Sequence, residues 1–246
     1  MRFRSWIFKA LVAGVGVAGA LPAQAQFHRE VRHYNRQGRP YYRGPLHVTL
    51  AGGTTFYDGD LGNALGDNFL GPAVSAGVRY RLTAHMHIAG EFSYFEMGAR
   101  DKAKERGLAF TSTNGLGAVF LRFDLLPDES IFAASLAEAP VFQVYLQGGA
   151  GLVLYNPKSY LGTTRAGGQT GFLAPERNDY PALTGVFPVG AGFAVRLTDR
   201  LRAGLEGNYY FSAGDQLDDI SKRLNGASRN NDGFATVMLK LDYELK

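Results

Sequence analysis

Ala235, Val237, Leu239, Leu241, Tyr243 and Leu245 take every second position of one stretch, and Met238, Lys240, Asp242 and Glu244 fill the places between them. An extended chain turns successive side chains to opposite faces, so this segment has one apolar face and one face that carries its charges. Residues 201 to 211 repeat the arrangement, with Leu201, Ala203, Leu205, Tyr209 and Phe211 against Arg202, Gly204, Glu206, Asn208 and Tyr210. The alternation recurs in eight runs, near 46–57, 72–82, 86–97, 109–125, 141–155, 185–197, 201–211 and 233–245. A tilted strand crosses the apolar core of a bilayer in roughly 9–11 residues, and each run is about that long.

The spacers between the runs alternate in length. Residues 58–71, 98–108, 156–184 and 212–232 are long and rich in Gly, Asp and Asn, whereas "LTAH" and "LTDR" are tight turns. Residues 126–140 form a longer stretch in a short-turn position. Short turns at one end and long loops at the other are the layout of a closed antiparallel barrel in an outer membrane, with its turns in the periplasm. A duplication fits this layout: "VRYRLTAHMHIAGEFSYF" and "FAVRLTDRLRAGLEGNYYF" align without a gap, Arg81 on Arg196, Glu91 on Glu206 and Tyr94 on Tyr209. Each copy reads as a strand, a turn and a returning strand.

The expected fold class is all-β, an eight-stranded antiparallel transmembrane outer-membrane barrel with short periplasmic turns and long extracellular loops. A soluble β-sandwich would turn its charges outward; here the uncharged face is the uniformly apolar one, as contact with lipid requires. Tyr80, Phe123 and Tyr243 near the turns, and Phe56, Tyr94 and Phe211 near the loops, suit two interfacial girdles.

Parity sends Arg79, Arg81, His87, Glu91, Arg122, Asp124, Arg196, Arg202, Glu206, Lys240 and Asp242 into the interior. An eight-stranded barrel is filled by its own side chains, and buried charges are costly unless paired. The expectation is therefore a mutually neutralising ionic network that plugs the lumen, with no catalytic residue, cofactor or metal. "DGDLGN" sets Asp58 and Asp60 at calcium-loop spacing, but Gly62 stands where a third oxygen ligand belongs and no Glu follows at the twelfth position, so a Gly/Asp turn is the reading. Asp218 and Asp219 read as capping a local turn rather than as cation ligands. No G-x-S-x-G occurs, and the histidines lie in the N-terminal tail or near the turn end.

Arg2, Arg4 and Lys9 precede an apolar run too short to span a bilayer as a helix, and Ala23-Gln24-Ala25 is a small-x-small cleavage site, so residues 1–25 read as a secretory leader cleaved after Ala25. Residues 26–44 carry five arginines against Glu30 and read as a basic periplasmic segment, a solvated leader or a dock for an acidic partner or anionic headgroups. The formal charge of the whole chain is +4. The leader contributes +3 and the basic segment +4, which leaves −3 for the barrel of residues 45–246. No nucleic-acid partner is implied. The absence of cysteine excludes disulfides and thiolate chemistry.

Five stretches taken together resemble a family of small outer-membrane barrels of Bacteroidota that includes PorG of the type IX secretion system: "GGTTFYDGDLGN", "RGLAF", "LYNPK", "FPVGAGFAVRLTDRLRAGLEGNYYF" and "DQLDDIS". Asp60, Asn156, Pro157, Asp218 and Asp219 are the loop residues that carry the likeness. The resemblance implies a non-enzymatic barrel that anchors or organises the secretion machinery, set among outer-membrane lipid and lipopolysaccharide and touching periplasmic ring lipoproteins. The alternative is a passive OmpA/OmpX-like structural or adhesion barrel whose loops are the working surface.

Overall fold

The computed structural model describes residues 33–34, 40–41, 45–59, 61, 64–102, 105–126, 140–214, 216–220 and 232–245. Eight strands form one closed antiparallel barrel: β1 (Leu46–Asp58), β2 (Gly71–Arg81), β3 (Met86–Arg100), β4 (Leu108–Asp124), β5 (Phe142–Leu161), β6 (Ala182–Arg196), β7 (Leu201–Ser212) and β8 (Gly233–Glu244). Each strand pairs with the next, and β8 returns to β1 from Gly233 opposite Asp58 to Glu244 opposite His47. Closure leaves no free edge over the span in which all eight strands are paired. A two-residue ladder of His33–Tyr34 with Pro40–Tyr41 precedes the barrel. Among the described residues the helical content is one 3-10 turn, Leu65–Asp67. The cleavage site after Ala25 and most of the basic segment lie outside the described residues, as do residues 127–139 between β4 and β5.

The duplicated hairpins owe their likeness to one turn chemistry. In the β2–β3 turn, the Leu82 and Thr83 amides both donate to the Met86 carbonyl. Thr83 Oγ1 accepts from the His85 and Met86 amides at 3.2 and 3.0 Å. In the β6–β7 turn, the Leu197 and Thr198 amides donate to the Leu201 carbonyl. Thr198 Oγ1 accepts from the Arg200 and Leu201 amides at 3.4 and 3.1 Å. A threonine hydroxyl can mimic a backbone turn in this way, which fixes a four-residue connection and with it the strand register.

Three boundaries differ from the sequence expectation by three residues or more, one of them the start of β6, at Ala182 instead of 185. β5 does not end at 155 but runs 20 residues to Leu161, paired with β4 up to Leu108. Asn156-Pro157 looks like a breaker. However, β5 pairs with β6 only as far as Tyr155, so Pro157 sits where the strand has one neighbour, a place that tolerates a missing N–H. β3 likewise continues to Arg100, three residues beyond its expected end. Together β3, β4 and β5 raise one wall of the barrel above the mouth.

Candidate functional site

The alternating pattern turns a belt of large apolar side chains outward. Leu50, Val74, Phe92, Val119, Leu121, Leu146, Leu152, Phe187, Leu239 and Leu241 are all exposed, with Leu239 at 70%. Tyr80, Phe123, Phe142, Phe193 and Tyr243 ring the turn end, and Phe187 and Phe211 stand toward the loop end. So continuous an apolar surface is stable against hydrocarbon and not against water. No helix of the described residues is long and apolar enough to cross a membrane; the strands do the crossing.

Inside, the two halves differ. The loop half has an aromatic core: Phe95 and Tyr210 stack on Phe234 with centroids 4.9 and 4.5 Å apart, and Tyr57 meets Phe110 edge-on at 4.7 Å. The turn half holds the basic side chains and the carboxylates paired with them. Arg79 on β2 donates to Asp242 on β8 at 3.1 Å, reaching across the lumen to a strand two places away. Lys240 on β8 lies between Glu91 on β3 and Glu206 on β7, 3.0 Å from Glu206 Oε2. Arg122 and Asp124, two residues apart on one face of β4, pair at 2.7 Å. Arg81 is buried, Arg202 donates to Gln143, and Arg196 is half-buried at the rim, where it faces Arg202 across β6 and β7.

Neutral groups complete this network, and charge parity gave no reason to single them out. Tyr145 donates to Glu206 at 2.7 Å, Asn208 donates to Glu206 at 2.9 Å, and Gln147 donates to Asn208 at 2.8 Å. The Arg122 guanidinium stacks 3.4 Å over the Tyr145 ring. Glycines on β6 make room for them. A Cβ at Gly192 would come within 2.5 Å of the Tyr145 hydroxyl, and one at Gly190 would run into Asn208 Oδ1. The signal lay in the run "VGAG", where Gly190 and Gly192 take the inward places and leave space that neighbours leaning across fill.

The mouth is built from the last loop. Leu217 and Ile220 are fully buried beneath it. Asp218 accepts from the Ile220 amide at 3.0 Å, the turn-capping role expected of it, and also from the Tyr57 hydroxyl at 2.9 Å. Asp232, at the other end of the loop, takes the Leu217 amide at 2.8 Å and meets the same hydroxyl at 2.6 Å. Asp219 reaches further, accepting from the Glu176 amide at 2.8 Å and from Ser159 at 3.3 Å. Its φ of +59° is a left-handed conformation that Asp tolerates better than most residues. Burial, with the Asp219 carboxylate beside it, pushes the Tyr180 hydroxyl well above its ordinary pKa.

The long β5–β6 loop straps this cap from the outside. Arg165 donates to Glu96 at 2.9 Å and to the Leu70 carbonyl at 3.1 Å. Phe172 bridges to Tyr160, and Arg177 donates to Gln216 at 2.8 Å. Of the family-like loop residues, Asp218 and Asp219 lie in the cap, Pro157 is buried on the raised part of β5, and Asn156 stands beside it opposite Thr113. Asp60 lies outside the described residues, while Asp58 accepts from Tyr209 at 2.9 Å. Among the described residues no group of three or more potential metal ligands is gathered.

No family model matches the chain. No curated protein matches it either. Several solved outer-membrane proteins are similar in shape. Neisserial surface protein A shares 14% identity over 82% of this chain and 99% of its own, with a TM-score of 0.44. A major outer membrane protein from Thermus thermophilus shares 9% over 82% and 100%, with a TM-score of 0.46. The outer membrane enzyme PagL shares 13% over 81% and 99%, with a TM-score of 0.35. The assignment as a membrane-crossing barrel stands on the chain's own closed sheet and apolar belt.

Proposed function

We propose that this chain is a structural barrel of the outer membrane that serves type IX secretion as a PorG-like component, holding part of the machinery in place and offering its turn side to periplasmic ring lipoproteins. The observation that carries this reading is where the resembling stretches meet. Tyr57 comes from "GGTTFYDGDLGN", Phe110 from "RGLAF", Tyr155 from "LYNPK", Tyr209 and Tyr210 from the long β6–β7 stretch, and Leu217 to Ile220 from "DQLDDIS". All of them pack into or onto the one capped mouth. Residues scattered over most of the chain thus serve a single rigid construction, as expected if the likeness reflects a shared device rather than chance. A mouth packed with Tyr57, Phe110, Leu217, Ile220 and Phe234 also suits a scaffold better than a pore.

The leader ends at Ala25 in this reading, and the mature barrel faces lipid and lipopolysaccharide. Isolating the intact protein from membranes of its own cells, followed by mass spectrometry, should recover periplasmic ring components. Their consistent absence would remove the secretion role. A second reading, a structural or adhesion barrel, is favoured by the strapped β5–β6 loop, which presents a fixed outer surface instead of a slack one. Deleting residues 163–171 should abolish surface binding and spare secretion if that reading is right.

A further inference from the structure

The outer wall from β6 through β7 and β8 to β1 is not evenly clad. Ala203 holds an outward place between Val195 and Leu241, and Gly52 holds one beside Leu239, so small residues stand among large ones. They help to open a groove of about 690 Å³, walled by Phe193, Leu205, Leu239 and Leu241. Lys240 borders the groove, but its ammonium is turned into the lumen toward Glu206, so the groove presents an apolar surface. It lies in the turn half of all four strands, and Tyr243 of the turn-end ring stands one outward place below Leu241.

The groove is continuous with the apolar belt and therefore opens into hydrocarbon. No water is there to drive burial, so whatever fills it is held by closeness of contact. An alkyl chain lying on a smooth stretch of belt touches protein on one side only. Laid between Phe193 and Leu239, over Ala203, it also touches protein along its flanks, and each added atom pair contributes dispersion. The volume falls within the roughly 300–1,000 Å³ of small-molecule sites. Eleven residues line the groove. A standard protein interface takes roughly 20–30 on each side, so the size fits part of a lipid and not the face of a second barrel.

We propose that this groove seats one acyl chain of a diacyl glycerophospholipid, so that the barrel carries a fixed lipid on its β6–β7–β8–β1 wall. Turns of such barrels lie on the periplasmic side, which places the lipid in the periplasmic leaflet. The site rests on the barrel standing in a membrane and not on the secretion role, so a failure to recover ring components would leave it untouched.

The test uses the full mature barrel, refolded into dimyristoylphosphatidylcholine vesicles, extracted in mild detergent and weighed intact by native mass spectrometry. A species of one barrel with one phospholipid should persist after looser lipids are stripped. Gly52→Leu fills the groove without strain, since a Cβ there would meet nothing nearer than the Ala73 carbonyl oxygen at 4.0 Å. It should abolish that species, as should Ala203→Phe. Gly90→Leu, equally unobstructed on β3 across the barrel from β7, should leave it intact. No lipid-bearing species from the unaltered protein, or the same amount from every variant, overturns the proposal. So does a dimer that the two groove variants dissolve, because the groove would then seat a second copy. Should the groove variants fail to fold, a phosphatidylcholine with a diazirine in one chain decides the matter on the unaltered barrel: labelling concentrated on β7, β8 and β1 supports the site, and even labelling around the belt rejects it.

Discussion

Lys240 shows how tightly single side chains are bound into this interior. Its ammonium stands between Glu91 and Glu206, and all three groups are buried. Removing one partner of a buried charge set strands the others, at about 3–5 kcal/mol. Lys240→Met should therefore lower unfolding stability in lipid vesicles by about that much in a urea titration, and adding Glu91→Gln and Glu206→Gln should restore most of the loss. If the single substitution costs nothing, the network is ornamental. Gly192 makes a steric counterpart. Gly192→Val would drive a side chain into the Tyr145 ring and should cost about 1–3 kcal/mol in the same assay, the usual range for overpacking. Combining it with Tyr145→Ala should give less than the sum of the two losses, because they share one space.

At the scale of elements, the paired turns make a sharper case than any one strand. Thr83 and Thr198 each accept two backbone amides in sequence-matched turns far apart in the chain. Replacing either by Ala should cost about 1 kcal/mol, and the double variant should cost the sum, because the sites share no partner. A large excess over additivity would show that the turns act as more than local caps. The last loop behaves differently, since its anchors lie on other elements: Tyr57 on β1, Ser159 on β5 and Glu176 in the strap. Asp219→Gly keeps the left-handed backbone within easy reach but loses both acceptor contacts. Protease cutting at residues 216–220 should therefore speed up while the barrel itself stays intact; an unchanged cutting rate would mean that Leu217 and Ile220 hold the loop unaided.

For the whole molecule, a closed barrel in detergent should give β-rich circular dichroism and should migrate faster on gels before heating than after. Equal migration with and without heat would contradict closure. Much of this architecture was legible in the chain, because a period of two acts locally: Leu239, Lys240 and Leu241 declare their faces without reference to any other strand. The same rule turned inward Arg79, Glu91, Arg122, Lys240 and Asp242, which are buried, and Arg196, which is half-buried, but it did not reach the buried Asp101, Asp218, Asp219 and Asp232 of the loop end; the "LT" turns declared their shape in the sequence as well. It could not say who pairs with whom. Arg79 finding Asp242, Lys240 bridging Glu91 and Glu206, and Tyr57 meeting both ends of the last loop depend on curvature and on the stagger of eight strands around one axis. Nor could it show that Pro157 continues a strand or that Asp219 reaches the strap, since both depend on neighbours more than 40 residues away. Side-chain direction is set by the backbone of each residue, so the sequence by itself determined the faces; contacts across a lumen are set by closure, so only the tertiary structure decided them.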